Sequence, residues 1–261
     1  MAELFPETAE RVKELALRPE VLGVIVVGSK SAGHADHLSD DDMEVILTEE
    51  AHALLSPAQC SEVLYAPEGD VRRIIYDAYY EPLSALAHKA NSPRDLEHWP
   101  YERARVLFDR DGRVSEAVAA ARVMTPEFRR ARLLHATVDA WVAGRRAEKT
   151  FGRGAEAAAH LVIARGAKAL SRILFALEWR WVPLDHWLEP ELKTLDDAEG
   201  AGRLLVDALK GGAAQPLKEA VDALEDRLFA EGVPRPDERI ALFLELIHPS
   251  REAERMVHGL Y

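Results

Sequence analysis

A change of period near residue 20 narrows the folds open to this chain. Before it, Val12, Leu15 and Leu17 form an apolar stripe among Glu, Arg and Lys, so residues 7–18 read as a helix with Pro6 near its start. After it, VLGVIVVG, residues 21–28, is a β-branched run closed by glycine, the pattern of a buried strand entering a tight turn. A polar stretch over 29–41 leads into MEVILTE, a second strand, and VRRIIYDAYY, residues 71–80, reads as a third. ARVLFD, residues 104–109, is a fourth, ended by the turn sequence Asp109-Arg110-Asp111-Gly112.

From about residue 114 onward strand patterns stop, and Ala, Leu, Arg and Glu recur at helical spacing. Leu133, Leu134, Val138 and Trp141 share one face of a helix that Thr125 caps and Pro126 opens. Further helices fit 155–179, 199–210, 216–230 and 236–247, separated by Gly211-Gly212, Gly232-Val233-Pro234 and proline-containing loops. The expected fold class is therefore α+β, with a sheet-bearing domain over residues 1–115 and an all-helical domain over 116–261. A chain of 261 residues, 48% of them apolar, has material for two modest cores.

The formal charge of -12 is spread along the sequence with no basic stripe, so no clamp for a nucleic-acid backbone is visible and nucleic acid is not an expected partner. A single cysteine, Cys60, forms no internal disulfide and reads as a small buried apolar residue, which suits a reducing, cytoplasmic compartment. The first residues mix acids and bases too evenly for a signal or transit peptide, and no apolar run approaches the roughly 20 residues that span a bilayer. A soluble protein without a membrane partner is expected.

Chemistry concentrates in GSKSAGHADHLSDDDMEV, residues 28–45. Gly28 lets the backbone turn at the strand end and approach a ligand closely, and Ser29 with the following amides can donate to phosphate oxygens where a helix begins. Asp40 and Asp42 are two apart; on a strand their carboxylates leave the same face, about 6–7 Å apart at Cα. Two acids so close repel and favour a hard cation between them, for which Mg²⁺ is the natural candidate. Asp41 should point the other way, toward solvent or as support behind the ligands; a shift of one residue would exchange the roles. Asp36 and Ser39 read first as residues that order the loop, with Ser39 also a candidate nucleotide contact. His34 and His37 beside the loop are assigned no zinc.

This segment resembles the signature of the DNA polymerase beta-type nucleotidyltransferases, in which Gly-Ser after a strand is followed by Asp-x-Asp on the next. It is most similar to the antibiotic (kanamycin, lincosamide, streptomycin) nucleotidyltransferase-like branch, through Gly28, Ser29, Gly33, Ala35, Asp36, Ser39, Asp40 and Asp42. Two positions depart from that pattern: Ala32 stands where Arg often precedes the second glycine, and Asp41 stands where an apolar residue is usual. The resemblance also touches 175–192, an aromatic-x-Pro segment in which His186 stands where Lys is common.

The resemblance implies a mixed-sheet nucleotidyltransferase domain followed by a helical one. It also implies a third carboxylate that completes the metal site or serves as base: Asp77 in an apolar strand, or Asp70, which follows Pro67-Glu68-Gly69 and reads more simply as a turn residue. The expected activity is Mg²⁺-dependent transfer of a nucleotidyl group, adenylyl first among them, from an NTP such as ATP to a hydroxyl of an aminoglycoside-like or lincosamide-like molecule, with pyrophosphate released. Asp40, Asp42 and Asp77 would be catalytic and metal-binding; Gly28, Ser29, Ser39 and Lys149 would bind nucleotide, Lys149 weighed against a solvated helix face. The helical domain would supply the other wall of a cleft. Two rivals remain: a non-catalytic or protein-modifying nucleotide-binding module of the toxin–antitoxin type, and an RNase of the HEPN kind using Arg153 and His160. Trp179, Trp181 and Trp187 are expected to pack the helical part.

Overall fold

A computed structural model describes residues 3–66 and 73–259. The chain divides into two compact units, Met1–Val123 and Met124–Tyr261. In the first, α1 (Pro6–Leu17) starts on its proline, and β1 (Val21–Val27) follows after a short turn. Then come α2 (Gly28–Ala32), β2 (Asp41–Leu47), α3 (Glu49–Ala53), β3 (Ser61–Tyr65), β4 (Ile74–Pro82), α4 (Leu83–Lys89), α5 (Trp99–Glu102), β5 (Arg105–Asp109) and α6 (Arg113–Ala121).

The strands form a mixed sheet in the order β3-β4-β2-β1-β5. β1 is antiparallel to both β2 and β5, β2 is parallel to β4, and β3 is antiparallel to β4. Because β1 and β2 lie inside the sheet, alternate residues feed two cores. Val24, Val26, Met43 and Val45 pack with Leu15 of α1 on one face, while Ile25 and Ile46 pack with Leu86, Tyr101, Val114 and Val118 on the other. Gly23 allows α6 to settle on the sheet: a Cβ there would lie 2.7 Å from Val114 Cγ2 and 2.9 Å from Phe108 O.

Several elements differ from the sequence reading. β2 begins at Asp41 rather than Met43, which draws two of the three consecutive aspartates into the sheet. β3 had not been anticipated; it is an edge strand with no buried residue. The alternative third acid, Asp70, and the first residues of the expected strand 71–80 lie outside the described residues. Cys60 is half-exposed beside His52, not buried. α6 lies within the first unit instead of opening the second.

The second unit is helical throughout its described length. α7 (Pro126–Gly152) is capped by the Thr125 side chain, which accepts from Phe128 N, and a short turn leads into α8 (Glu156–Leu177). Small residues let these two long helices and their neighbours approach: a Cβ on Gly166 would stand 2.4 Å from Leu217 Cδ2 and 2.8 Å from Ala143 Cβ. α9 (Leu188–Leu192), α10 (Ala201–Gly211), α11 (Ala214–Ala223), α12 (Glu225–Ala230), α13 (Arg239–Leu246) and α14 (Glu252–His258) complete it. The single helix expected over 216–230 is thus two, and α14 is additional. Trp181 is buried against Phe128 (ring centroids 4.9 Å apart), whereas Trp179 is 48% exposed and Trp187 half-buried, so only one of the three tryptophans is a core residue. No helix among the described residues is long and apolar enough to cross a membrane.

Candidate active site

The centre of the first unit's chemistry is where β1 ends. Gly28 has φ 71°, and a Cβ on it would fall 1.8 Å from Asp42 Oδ2. The glycine is therefore required twice over, by its backbone conformation and by the carboxylate lying against its Cα. Register explains the contact. Val27 pairs with Asp42 on one side of β2, and Asp42 pairs with Asp77 of β4 on the other. The turn and two of the predicted acids thus stand in one row across three strands, and Asp40 immediately precedes β2.

Electrostatics join the same three acids. Burial and then the charges of Asp40, Asp77 and Asp41 push the Asp42 carboxyl up to about 7. Asp77 is also raised, first by burial and then by Asp40. These are carboxylates that resist ionising together, with only oxygen donors among them, a composition that fits a hard divalent cation. Among the described residues, no group of three His, Cys, Asp or Glu side chains is yet drawn in closely enough to hold a metal ion.

The intervening acid has a different role. Asp41 is fully buried on the opposite face, where its Oδ2 accepts from Phe5 N (2.9 Å) and Thr8 Oγ1 (2.6 Å). Its Oδ1 lies 2.7 Å from the buried Lys30 ammonium, which also sits 3.5 Å above the Phe5 ring. Asp41 was expected to face away from its neighbours, toward solvent or as support behind them; it does face away, and of the two it is the buried alternative that holds. Lys30, the nearest lysine to the Gly28-Ser29 turn, is consequently committed to the fold.

The loop before β2 orders itself. Asp36 Oδ1 accepts from Leu38 N (2.9 Å) and from Ser39 Oγ (3.1 Å), while Ser39 Oγ accepts from Asp36 N (3.0 Å). The Leu38 amide, with Ser39, holds the Asp36 carboxyl below its usual range. Ser39 is thus occupied as a loop-ordering residue, the first of its two predicted roles. Ser29 is buried at the first turn of α2, where helix amides lack intrahelical partners.

Two features near the turn escaped the sequence reading. Arg103, next to β5, donates through Nη1 to Ala32 O at 2.6 Å and so brings a guanidinium to the loop whose own sequence has alanine there. On the Asp42 face of the sheet, Lys89 forms ion pairs with Glu81 (2.7 Å) and Glu44 (3.5 Å), and Tyr101 donates to Glu44 at 2.5 Å. Burial, then Glu44, raises the Glu81 carboxyl despite the nearby ammonium. Neither cation was signalled by local spacing: Arg103 reaches Ala32 from 71 residues away, and Lys89 joins Glu81, eight residues before it, to Glu44 on another strand.

The remaining candidates lie in the second unit. Lys149 is exposed in the last turn of α7. Arg153 and His160 are exposed as well, the His160 ring edge-on to Phe151 at 5.8 Å and so close to Gly212 that a Cβ there would lie 2.8 Å from Nε2. His186 packs beside Trp187 with ring centroids 5.2 Å apart.

The fold and this site define an α+β unit with an acid cluster at a glycine turn, followed by a helical unit. No protein-family model matches the chain, and no curated protein matches it. Among solved structures it is similar to a nucleotidyltransferase-like protein from Exiguobacterium sibiricum, with 17% identity and a TM-score of 0.47, over 96% of this chain and 86% of that one.

Proposed function

We propose that the protein is a Mg²⁺-dependent nucleotidyltransferase that moves a nucleotidyl group from an NTP, ATP first among candidates, to a hydroxyl of a small molecule. The observation that carries this reading is the row formed by Gly28, Asp42 and Asp77, with Asp42 raised to about 7 by burial and by its acidic neighbours. Such a cluster is costly for stability alone, and perturbed carboxylates of this kind concentrate at functional sites.

Asp40, Asp42 and Asp77 would hold the metal. When bound, Mg²⁺ supplies the positive charge that neighbouring carboxylates and phosphates both need. The amides opening α2 and the Ser29 hydroxyl donate to phosphate oxygens, and Gly28 permits that approach. Asp77 would also accept the proton of the acceptor hydroxyl. The hydroxyl oxygen forms its bond to the α-phosphorus as the bond to the bridging oxygen breaks, and pyrophosphate leaves. A formal charge of -12 favours a cationic acceptor such as an aminoglycoside.

The rival is a nucleotide-binding module without turnover. Calorimetric titration of ATP, GTP, CTP and UTP with and without Mg²⁺, into the wild type and Asp42→Asn, separates the two. Pyrophosphate release is followed in parallel against aminoglycosides and lincosamides. The transferase reading expects Mg²⁺-dependent binding that weakens in the variant and pyrophosphate with one acceptor class. Binding that ignores Mg²⁺, with no pyrophosphate, supports the rival. Absence of binding to every nucleotide by the folded protein overturns both.

A further inference from the structure

Within the second unit, α9, α10 and the segment joining them line a cavity of about 520 Å³. That volume lies in the range of small-molecule sites, roughly 300–1,000 Å³. Its lining includes the apolar Leu192, Leu195 and Val206. The rest of the lining carries charge, and its balance can be followed residue by residue.

Glu189 and Lys210 neutralise one another across 3.1 Å. The Asp197 carboxylate is taken by the start of α10, accepting from Ala201 N and Gly202 N at 2.8 Å each. Gly202 makes this possible, since a Cβ there would lie 3.1 Å from Asp197 Oδ2. Both acids at the cavity are thereby satisfied. Lys193 and Arg203 are different: both side chains are exposed at the cavity, and neither has an ion-pair partner among the described residues. In a chain with a formal charge of -12, a local excess of positive charge is not what composition would produce.

We propose that this cavity binds a small organic anion, a carboxylate or phosphate monoester on an apolar body, its acid group on Arg203 and Lys193 and its carbon chain against Leu192, Leu195 and Val206. A guanidinium offers a planar pair of donors that suits either acid, and a neighbouring ammonium adds charge without competing for that geometry. The apolar wall selects against inorganic phosphate, which has nothing to place there. The assignment is independent of the acid cluster in the first unit and extends the chemistry of the protein to a second ligand.

The test titrates octanoate, octyl phosphate and octylammonium into the full chain by calorimetry and follows the methyl resonances of Val206, Leu192 and Leu195. One or both anions should bind and shift these methyls, while octylammonium should not. Arg203→Glu and Lys193→Glu alter exposed side chains, so folding is expected to survive and is checked by circular dichroism. Each should weaken anion binding by about tenfold or more, the scale of one lost charge-assisted contact. Preference between the two anions identifies the acid group. Equal binding of octylammonium, affinity unchanged in both variants, methyl shifts confined to other regions, or no anion binding would each overturn the proposal.

Discussion

An alanine methyl at position 28 would lie 1.8 Å from Asp42 Oδ2, on a backbone already at φ 71°. Gly28→Ala should therefore lower stability by about 1–3 kcal/mol, a strain cost with steric displacement added, and push the Asp42 side chain from its place. Gly112→Ala is the control: φ there is 91°, but no atom lies within 4 Å, so only the conformational cost applies. Thermal melts should show the larger loss for position 28, and only that variant should lose nucleotide affinity. At the neighbouring aspartates, Asp41→Asn would leave the buried Lys30 ammonium without its countercharge and should cost about 3–5 kcal/mol in urea unfolding. Asp40→Asn, at a half-buried position before the strand, should cost far less. Equal losses would mean that the two faces of β2 are not divided as described.

At the scale of elements, α14 is held by its last residue. His258 is buried, with its ring 5.5 Å from that of His135 and 4.8 Å from Phe128. Burial, then Arg132, His135 and Arg172, lowers its pKa to about 3. His135 is lowered too, by burial against the opposing effect of Glu254, which is itself paired with Arg251. A histidine kept neutral by folding contributes stability that is complete above its unfolded value near 6.5. It is lost as pH falls from there toward the folded value, at about 1.4 kcal/mol per pH unit for one proton. The protection factors of α14 amides, taken against the intrinsic exchange rate at each pH, should therefore fall between pH 6.5 and 4 before those of the rest of its unit, and His258→Phe should flatten that slope. The same element shows where sequence reading stops. α1, β1 and α7 were legible because their apolar periods are strong and their ends carry Pro, Gly or a Thr-Pro cap. EAERMVH gives α14 no comparable stripe, and SEVLY gives β3 no buried face, since an edge strand keeps its alternation half in water. Gly28 and Asp42 were singled out by the motif they share, but that they stand side by side follows from the pairing of β1 with β2. Arg103 at Ala32, Lys89 between two acids and Lys30 on Asp41 depend on tertiary meetings that no local pattern encodes.

For the whole molecule, the formal charge of -12 bears on every anion that approaches. A nucleotide tail entering a cluster of carboxylates should meet repulsion that only a divalent cation or screening relieves. Without Mg²⁺, nucleotide affinity should hold or improve as salt rises from about 20 to 200 mM, over which the screening length shrinks to roughly 10 Å or less. Isothermal titration across that range is the check. A steep fall in affinity would show that phosphates are met by a basic surface instead.

Three identical residues in succession tell a strand nothing about where it should stop sliding. Within the run itself, with Asp40, Asp41 and Asp42 alike, a slip by one position would still offer an acid to each neighbour, although further along β2 it would turn Glu44 into the core that holds Met43 and Val45. Lys30, reaching through to the far side with Phe5 and Thr8, breaks that tie, because only one of the three can be received there. The lysine works as a key cut for a single position, and the aspartates on either side acquire their identity from the one between them.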